Sequence, residues 1–313
     1  MGRAPTSPRR DDPGWGRGAG GGARAHYHSP MRILAPALLL LAAAPLPAQA
    51  PVRALSFNIR YGTAADGDHA WPNRRGHVVT LIRDHAPHLI GFQEALRFQL
   101  DELEQRLHRY QEIGVGRDDG KTAGEYAAIW VDTLRFGVVT SGTFWFSDTP
   151  TVPGSKHWGN GITRISTWAR LVDRATGDTL RVYNNHWDHQ SQPSREKSAA
   201  LLLQRIAQDG APGDGILVFG DFNADETNPA AQAMVGSTRT PLRDTFRAAH
   251  PDARVVGTFN SFRGDSTGGK IDFILADPAW RVSDAGIDRR RFGPLWPSDH
   301  FAVWAVLHRP RTP

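Results

Sequence analysis

The sequence predicts an α/β (α+β) domain in which two β-sheets pack together with helices outside them. Three observations carry that prediction. Short apolar segments separated by turn residues recur from Val52 to the C-terminus. Several are apolar on both faces, as in Ile216-Leu217-Val218-Phe219, so both faces must be covered. No Pro/Ser linker, internal repeat or heptad pattern divides residues 52–308. A chain of 313 residues with 40% hydrophobic content has apolar mass enough for such a core, which excludes a disordered tail protein.

The strands expected in order are Val52–Ile59, His88–Phe92, Tyr126–Val131, Ile165–Val172, Thr179–Asn184, Ile216–Gly220, Lys270–Ala276 and Phe301–Leu307. Helical periodicity covers Arg74–His85, where Val78, Leu81 and Ile82 share a face, and Leu96–Leu107, where leucines recur at spacings of three and four. A third helix, Ser194–Gln208, takes Ser194 as its N-cap and turns Ala199, Leu202, Leu203 and Ile206 inward. Ahead of all these, residues 1–30 are rich in Gly, Arg, Pro and Ser with no apolar period and predict a disordered leader. Met31-Arg32, the apolar run Ile33–Leu46 and the small residues to Ala50 predict a signal peptide over 31–50, too short and Pro-interrupted for a membrane span. Translation from Met31, cleavage after Ala48 or Ala50, and a secreted or periplasmic mature protein are the matching expectations. The alternative for this run is an amphipathic or buried helix.

Charge narrows the partners. The chain has a formal net charge of +5, yet residues 1–50 contain six Arg and two Asp, so about +1 is left for residues 51–313. Basicity is therefore no argument for a polynucleotide ligand. The absence of cysteine excludes disulfides, thiol nucleophiles, zinc fingers and iron–sulfur ligation. A metal would be held by His, Asp, Glu or Asn.

Polar groups sit at the ends of apolar strands at five places: directly after a strand at Asn58, at Gln93-Glu94, at Asn184-Asn185-His186-Trp187-Asp188-His189 and at Asp221-Phe222-Asn223, and just before the last strand at Ser298-Asp299-His300. Asp272 adds an acid within a strand, expensive unless paired or ligated. Asp221 and Asn223, two apart, project to one side of an extended chain. Each alone reads equally as a turn residue or a satisfied buried acid; together they make a hard-oxygen site suited to Mg²⁺ or Mn²⁺ with imidazoles for proton transfer. Asp188 and His189 stand either at the site or in a structural role. The loop 117–125 edges the cleft or forms a surface turn, and Trp71, Trp145, Trp158 and Trp296 lie in loop-like segments where they stack on ligands or simply pack.

The order of these motifs from Val52 to Leu307 resembles the endonuclease/exonuclease/phosphatase superfamily. The resemblance implies a four-layer αββα sandwich of two mixed sheets, with residues 51–313 as the catalytic domain. It implies Glu94 as the principal metal ligand, assisted by Asn58 and Asp299. Asp221 is then the general base, Asn223 holds a phosphate oxygen, and His300, oriented by Asp272, faces the phosphate together with His186. Asn185 and Trp187 replace the Thr and Leu usual around that histidine, so Trp187 bears on packing beneath the site. The expected activity is a secreted Mg²⁺-dependent phosphodiesterase, nuclease-like in chemistry, with Mn²⁺ able to substitute. A phosphatase or sphingomyelinase-type reading and an inactive binding protein are the alternatives. The expected partner is a phosphoester, whether nucleic acid, phospholipid headgroup or small diester, and the protein is expected as a monomer with no stable protein partner and no membrane span.

Overall fold

Every apolar segment expected as a strand is a strand in the computed structural model, which describes residues 17–22, 25–26 and 50–309. The expected signal peptide and nearly all of the leader lie outside the described residues, and residues 17–22 and 25–26 carry neither helix nor strand. The strands are β1 (Val52–Asn58), β2 (Leu89–Ala95), β3 (Tyr110–Ile113), β4 (Tyr126–Asp132), β5 (Phe136–Trp145), β6 (Ile165–Asp173), β7 (Thr179–His186), β8 (Gly215–Asp221), β9 (Arg243–Asp244), β10 (Asp272–Ala276), β11 (Arg281–Asp288) and β12 (Ala302–His308). Among the described residues they form two six-stranded mixed sheets, ordered β11-β12-β1-β2-β4-β3 and β5-β6-β7-β8-β10-β9.

Each sheet has one parallel pair. β1 runs parallel to β2 and β7 to β8, and only a crossover element can connect such neighbours. Helix α1 (Trp71–His85) makes the first crossover and α3 (Gln192–Asp209) the second. Three apolar layers follow from this. Leu89, Val131, Phe136, Leu171, Val182, Leu217, Phe219 and Val303 fill the space between the sheets. Val78, Leu81 and Ile82 of α1, with Leu100 and Leu103 of α2 (Arg97–Glu104), cover the outer face of the first sheet. Ala199, Leu202 and Ile206 of α3, with Ala230, Ala231 and Met234 of α4 (Pro229–Val235), cover that of the second.

Helix ends differ from expectation in instructive ways. Ser191, not Ser194, caps α3: its hydroxyl accepts the Ser194 N–H at 3.2 Å, and Pro193 stands in the first turn, where a missing N–H is harmless. Helix α2 ends at Glu104, three residues before Leu107. At its start the Gln99 side chain accepts the N–H of Leu96 at 3.0 Å and of Gly62 at 2.7 Å, tying the loop after β1 to the helix. Trp71 is the first residue of α1 rather than a loop residue, and it is buried. Helices α4, of seven residues, and α5 (Thr245–Ala249) are too short to show a helical period, and the edge strand β11 lacks an apolar run.

Buried amides join the sheets beneath the site. Gln93 Nε2 donates to Asn184 Oδ1 at 2.6 Å, and Asn184 Nδ2 donates to the carbonyls of Phe92 and Ala128, both at 2.8 Å. A Cβ at Gly91 would lie 2.8 Å from that same Asn184 oxygen, so only glycine permits the approach. Gln93 and Asn184, polar strand-end residues by sequence, are therefore cross-sheet ties rather than cleft residues.

Candidate active site

Strand register assembles one wall of the site. His186 of β7 and Asp272 of β10 both pair directly with Asp221, the last residue of β8, so three functional side chains stand side by side. The other sheet contributes Asn58 at the end of β1 and Glu94 from β2. Glu94 occupies the left-handed region, with φ of 59°, where the β2–β4 register shifts between Phe92 and Ala95. That bulge turns the carboxylate toward the facing sheet instead of into its own ladder. Asp299 and His300 enter from the turn before β12.

Glu94, Asp221 and His300 each offer a ligand atom, and the three atoms lie within 4.8 Å of one another. Asn58 Nδ2 bridges the two acids, 3.1 Å from Glu94 Oε1 and 3.0 Å from Asp221 Oδ2. Its amide nitrogen, not its oxygen, faces the carboxylates, while the oxygen accepts the Arg60 N–H at 3.0 Å. Asp299 lies alongside, 3.7 Å from Arg60 Nε. His300 Nδ1 meets Asp272 Oδ2 at 2.9 Å, which fixes the ring and aims Nε2 at Asp221, 3.8 Å away. His186 Nε2 approaches Asp221 at 3.6 Å, with Glu125 3.7 Å from its other ring nitrogen. Asn223, also left-handed with φ of 47°, donates its backbone N–H to Asp221 Oδ1 at 2.8 Å and lines the cleft. All eight expected residues thus gather at one place.

The two histidines are not equivalent. Burial works against charge on His300, but Asp272 and Asp221 outweigh it and hold the imidazole well above its usual range. At His186 burial acts together with Arg164 and Arg117, so that ring stays neutral. Of the two candidate imidazolium ions, the structure supplies His300. Burial, reinforced by Asp272, pushes the Asp221 carboxyl up to about 7, and burial likewise raises Asp299 and Glu125. This concentration of buried, mutually repelling carboxylates is relieved by a divalent cation, and the oxygen-rich donor set fits a hard one.

The cleft over these groups has a volume of about 650 Å³. Sequence reasoning missed most of its wall: Arg60, Tyr61, Ile162, Arg164, Phe259, Ser261 and Phe262 all line it. The loop 117–125 edges the cleft through its two ends, where Arg117 and Glu125 form a bidentate pair with both contacts 2.7 Å. His189 lines the cleft, whereas Asp188 accepts the N–H groups of Gln190 and Ser191 and builds a turn. None of the four tryptophans singled out lines it; Trp145 instead donates to the Arg117 carbonyl at 2.6 Å from below. Trp187 is buried and stacks on Phe222 at 4.1 Å, which in turn stacks on Phe273, so the unusual residue beside His186 packs in the layer beneath α3 and α4.

A two-sheet sandwich with carboxylates, amide and imidazole converging at one end defines the class of divalent-metal phosphoester hydrolases. A family model described as endonuclease/exonuclease/phosphatase matches residues 55–300, and the chain belongs to that family, whose members are metal-dependent phosphoester hydrolases. Among solved structures, an endonuclease/exonuclease/phosphatase from Bacteroides vulgatus is similar at 34% identity and TM-score 0.78, over 84% of this chain and all of that one. A mannosyl-6-phosphatase from Bacteroides thetaiotaomicron is 32% identical with TM-score 0.76, over 82% of this chain and 99% of its own. The human Nocturnin catalytic domain, at 18% identity and TM-score 0.67 over 84% of this chain and 95% of its own, shares the fold.

Proposed function

We propose that the protein is an exported, Mg²⁺-dependent phosphomonoesterase acting on a small phosphorylated molecule of the sugar-phosphate kind. The observation that carries this reading is the cleft, about 650 Å³ with acids and His300 at its floor and arginines in its wall. That volume suits a small ligand, and the near-neutral body argues against a long polynucleotide. The similarity to a mannosyl-6-phosphatase supports the same substrate class. The apolar run Ile33–Leu46 supports export.

Glu94 would be the principal holder of the metal, with Asp299 beside it and Asn58 donating its amide to both Glu94 and Asp221. Bound there, the ion supplies Lewis-acid polarisation of a phosphoryl oxygen. Asp221 takes a proton from the attacking water, and Asn223 fixes the carboxylate through its backbone N–H. His300, clamped by Asp272, presents a positive charge to the developing phosphorane oxygens. His186, neutral, orients the water–Asp221 pair from the adjacent strand.

The test incubates the protein with Mg²⁺, Mn²⁺ or EDTA and a panel of mannose 6-phosphate, p-nitrophenyl phosphate, bis-p-nitrophenyl phosphate and single-stranded RNA and DNA. Metal-dependent turnover of the monoesters is expected, reduced about 10²–10⁴-fold in Asp221→Ala. Faster turnover of the diesters would replace this reading with the nuclease-like one, which the aromatic Phe259 and Tyr61 at the rim would serve by stacking.

A further inference from the structure

Arg60 follows Asn58 by two residues, and its backbone is held from several sides. Its φ of 57° is left-handed, and its N–H donates to Asn58 Oδ1 at 3.0 Å. Its carbonyl accepts from Arg74 Nη2 and Gln99 Nε2, both at 3.0 Å. The side chain lines the cleft, is 27% exposed, and sets its guanidinium 4.5 Å over the Tyr61 ring. Nε and Nη2 donate to the two oxygens of Asp66, each at 3.2 Å. Two further acids stand at longer range: Glu94 Oε2 is 3.9 Å from Nη1, and Asp299 Oδ2 is 3.7 Å from Nε.

These distances divide the guanidinium between two tasks. Its hydrogen bonds go to Asp66, which anchors it. Glu94 and Asp299 receive its charge but no hydrogen bond from it, so it takes none of the lone pairs that a metal ligand must offer. A divalent cation on those two acids would share them with a fixed positive charge. Like charges in one partly buried cleft repel, and a guanidinium cannot relieve this by losing its proton. We propose that Arg60 is a resident counter-ion of the metal site: it offsets the charge of Glu94 and Asp299 and thereby lowers their affinity for a divalent cation. This rests on the metal-dependent reading above and names the residue that sets how tightly the ion is held.

Arg60→Met and Arg60→Gln remove the charge, and Arg60→Lys keeps it without the planar fork. Each protein is stripped with EDTA, dialysed and titrated with Mn²⁺ by isothermal calorimetry, a readout independent of turnover. The dissociation constant is expected to fall about 10-fold in Arg60→Met, as loss of one unit charge beside the ion warrants. Arg60→Gln should match it, and stands in should Arg60→Met not fold, while Arg60→Lys stays close to wild type. Thermal melts read the same effect by linkage: at one fixed Mg²⁺ concentration, Tm should rise more in the neutral variants than in the wild type. Unchanged or weaker Mn²⁺ affinity in the neutral variants overturns the inference and leaves the metal-dependent reading intact. So does a lysine variant that binds as tightly as they do, because charge is then not the cause. If the wild type takes up no Mn²⁺, binding gained in a neutral variant upholds the inference, and binding in none rejects it together with the metal-dependent reading.

Discussion

Arg74, behind the end of β1, and Arg164, in the cleft wall, are 0% and 3% exposed, and the chain satisfies them in opposite ways. Arg74 donates to four carbonyls: His69 at 2.8 Å, Pro297 at 2.9 Å, Arg60 at 3.0 Å and Ile59 at 2.5 Å. Three of them, those of Ile59, Arg60 and Pro297, lie within two residues of Asn58 or Asp299, so one guanidinium pins both sides of the candidate site. Arg164 has a single hydrogen bond, to His189, and two idle nitrogens. The difference teaches that burial of a guanidinium does not by itself mean that its donors are satisfied. The first is saturated by the protein, and the second keeps Nε and Nη1 buried without a hydrogen bond.

Arg74→Met should produce the largest effect, about 3–5 kcal/mol of lost stability, because it strands four inward carbonyls and a packed stem. Urea unfolding at neutral pH measures it, and a loss under about 1 kcal/mol would erase the contrast. Arg164→Met comes next, at about 1–2 kcal/mol, since one bond is lost and Asp188 keeps its two backbone N–H donors. Finding the two losses equal would show that Arg164 is a structural residue.

His88 sharpens the comparison with the smallest effect. Burial, together with the nearby Arg53, Arg135 and Arg109, lowers its imidazole to about 4, and the neutral Nδ1 accepts the Arg53 N–H at 3.0 Å. The unfolded chain takes up that proton near pH 6.5, the folded one only near pH 4. Protons therefore favour unfolding across that interval, and stability present above pH 6.5 is lost as pH falls through it. After discounting for partial exposure the loss is on the order of 1 kcal/mol. His88→Gln should flatten the Tm-against-pH curve between pH 6.5 and 4, and an unchanged slope would remove His88 as its cause.

The contrast also separates what the sequence reveals from what it hides. Glu94, Asp221 and His300 are legible because each stands at the end of an apolar strand, the first two at its C-terminal end and His300 just before the last strand, and strand ends of a sandwich converge. The same signal misplaces Gln93 and Asn184, because alternation fixes that two residues share a face without saying whether that face meets solvent or another sheet. Arg164 and Phe259 are hidden for a different reason: they stand in or beside loops, where position depends on contacts made far along the chain. β11 escapes detection because an edge strand needs little apolar content; only Ala285 and Asp288 of its eight residues are buried. The N-cap of α3 is missed by three residues because Ser191 and Ser194 both precede the apolar run, and only the placement of Pro193 distinguishes them.

Glu94 sits in a backbone conformation that glycine or asparagine adopts far more readily than glutamate. Replacement by glycine would relax the strand and remove one of the crowded carboxylates. Against that relief stand the bonds its carboxylate accepts from Asn58 Nδ2 and the Tyr61 N–H. Strain of this kind is held in place only by the surrounding structure, and here it is stored at the very residue proposed to hold the metal.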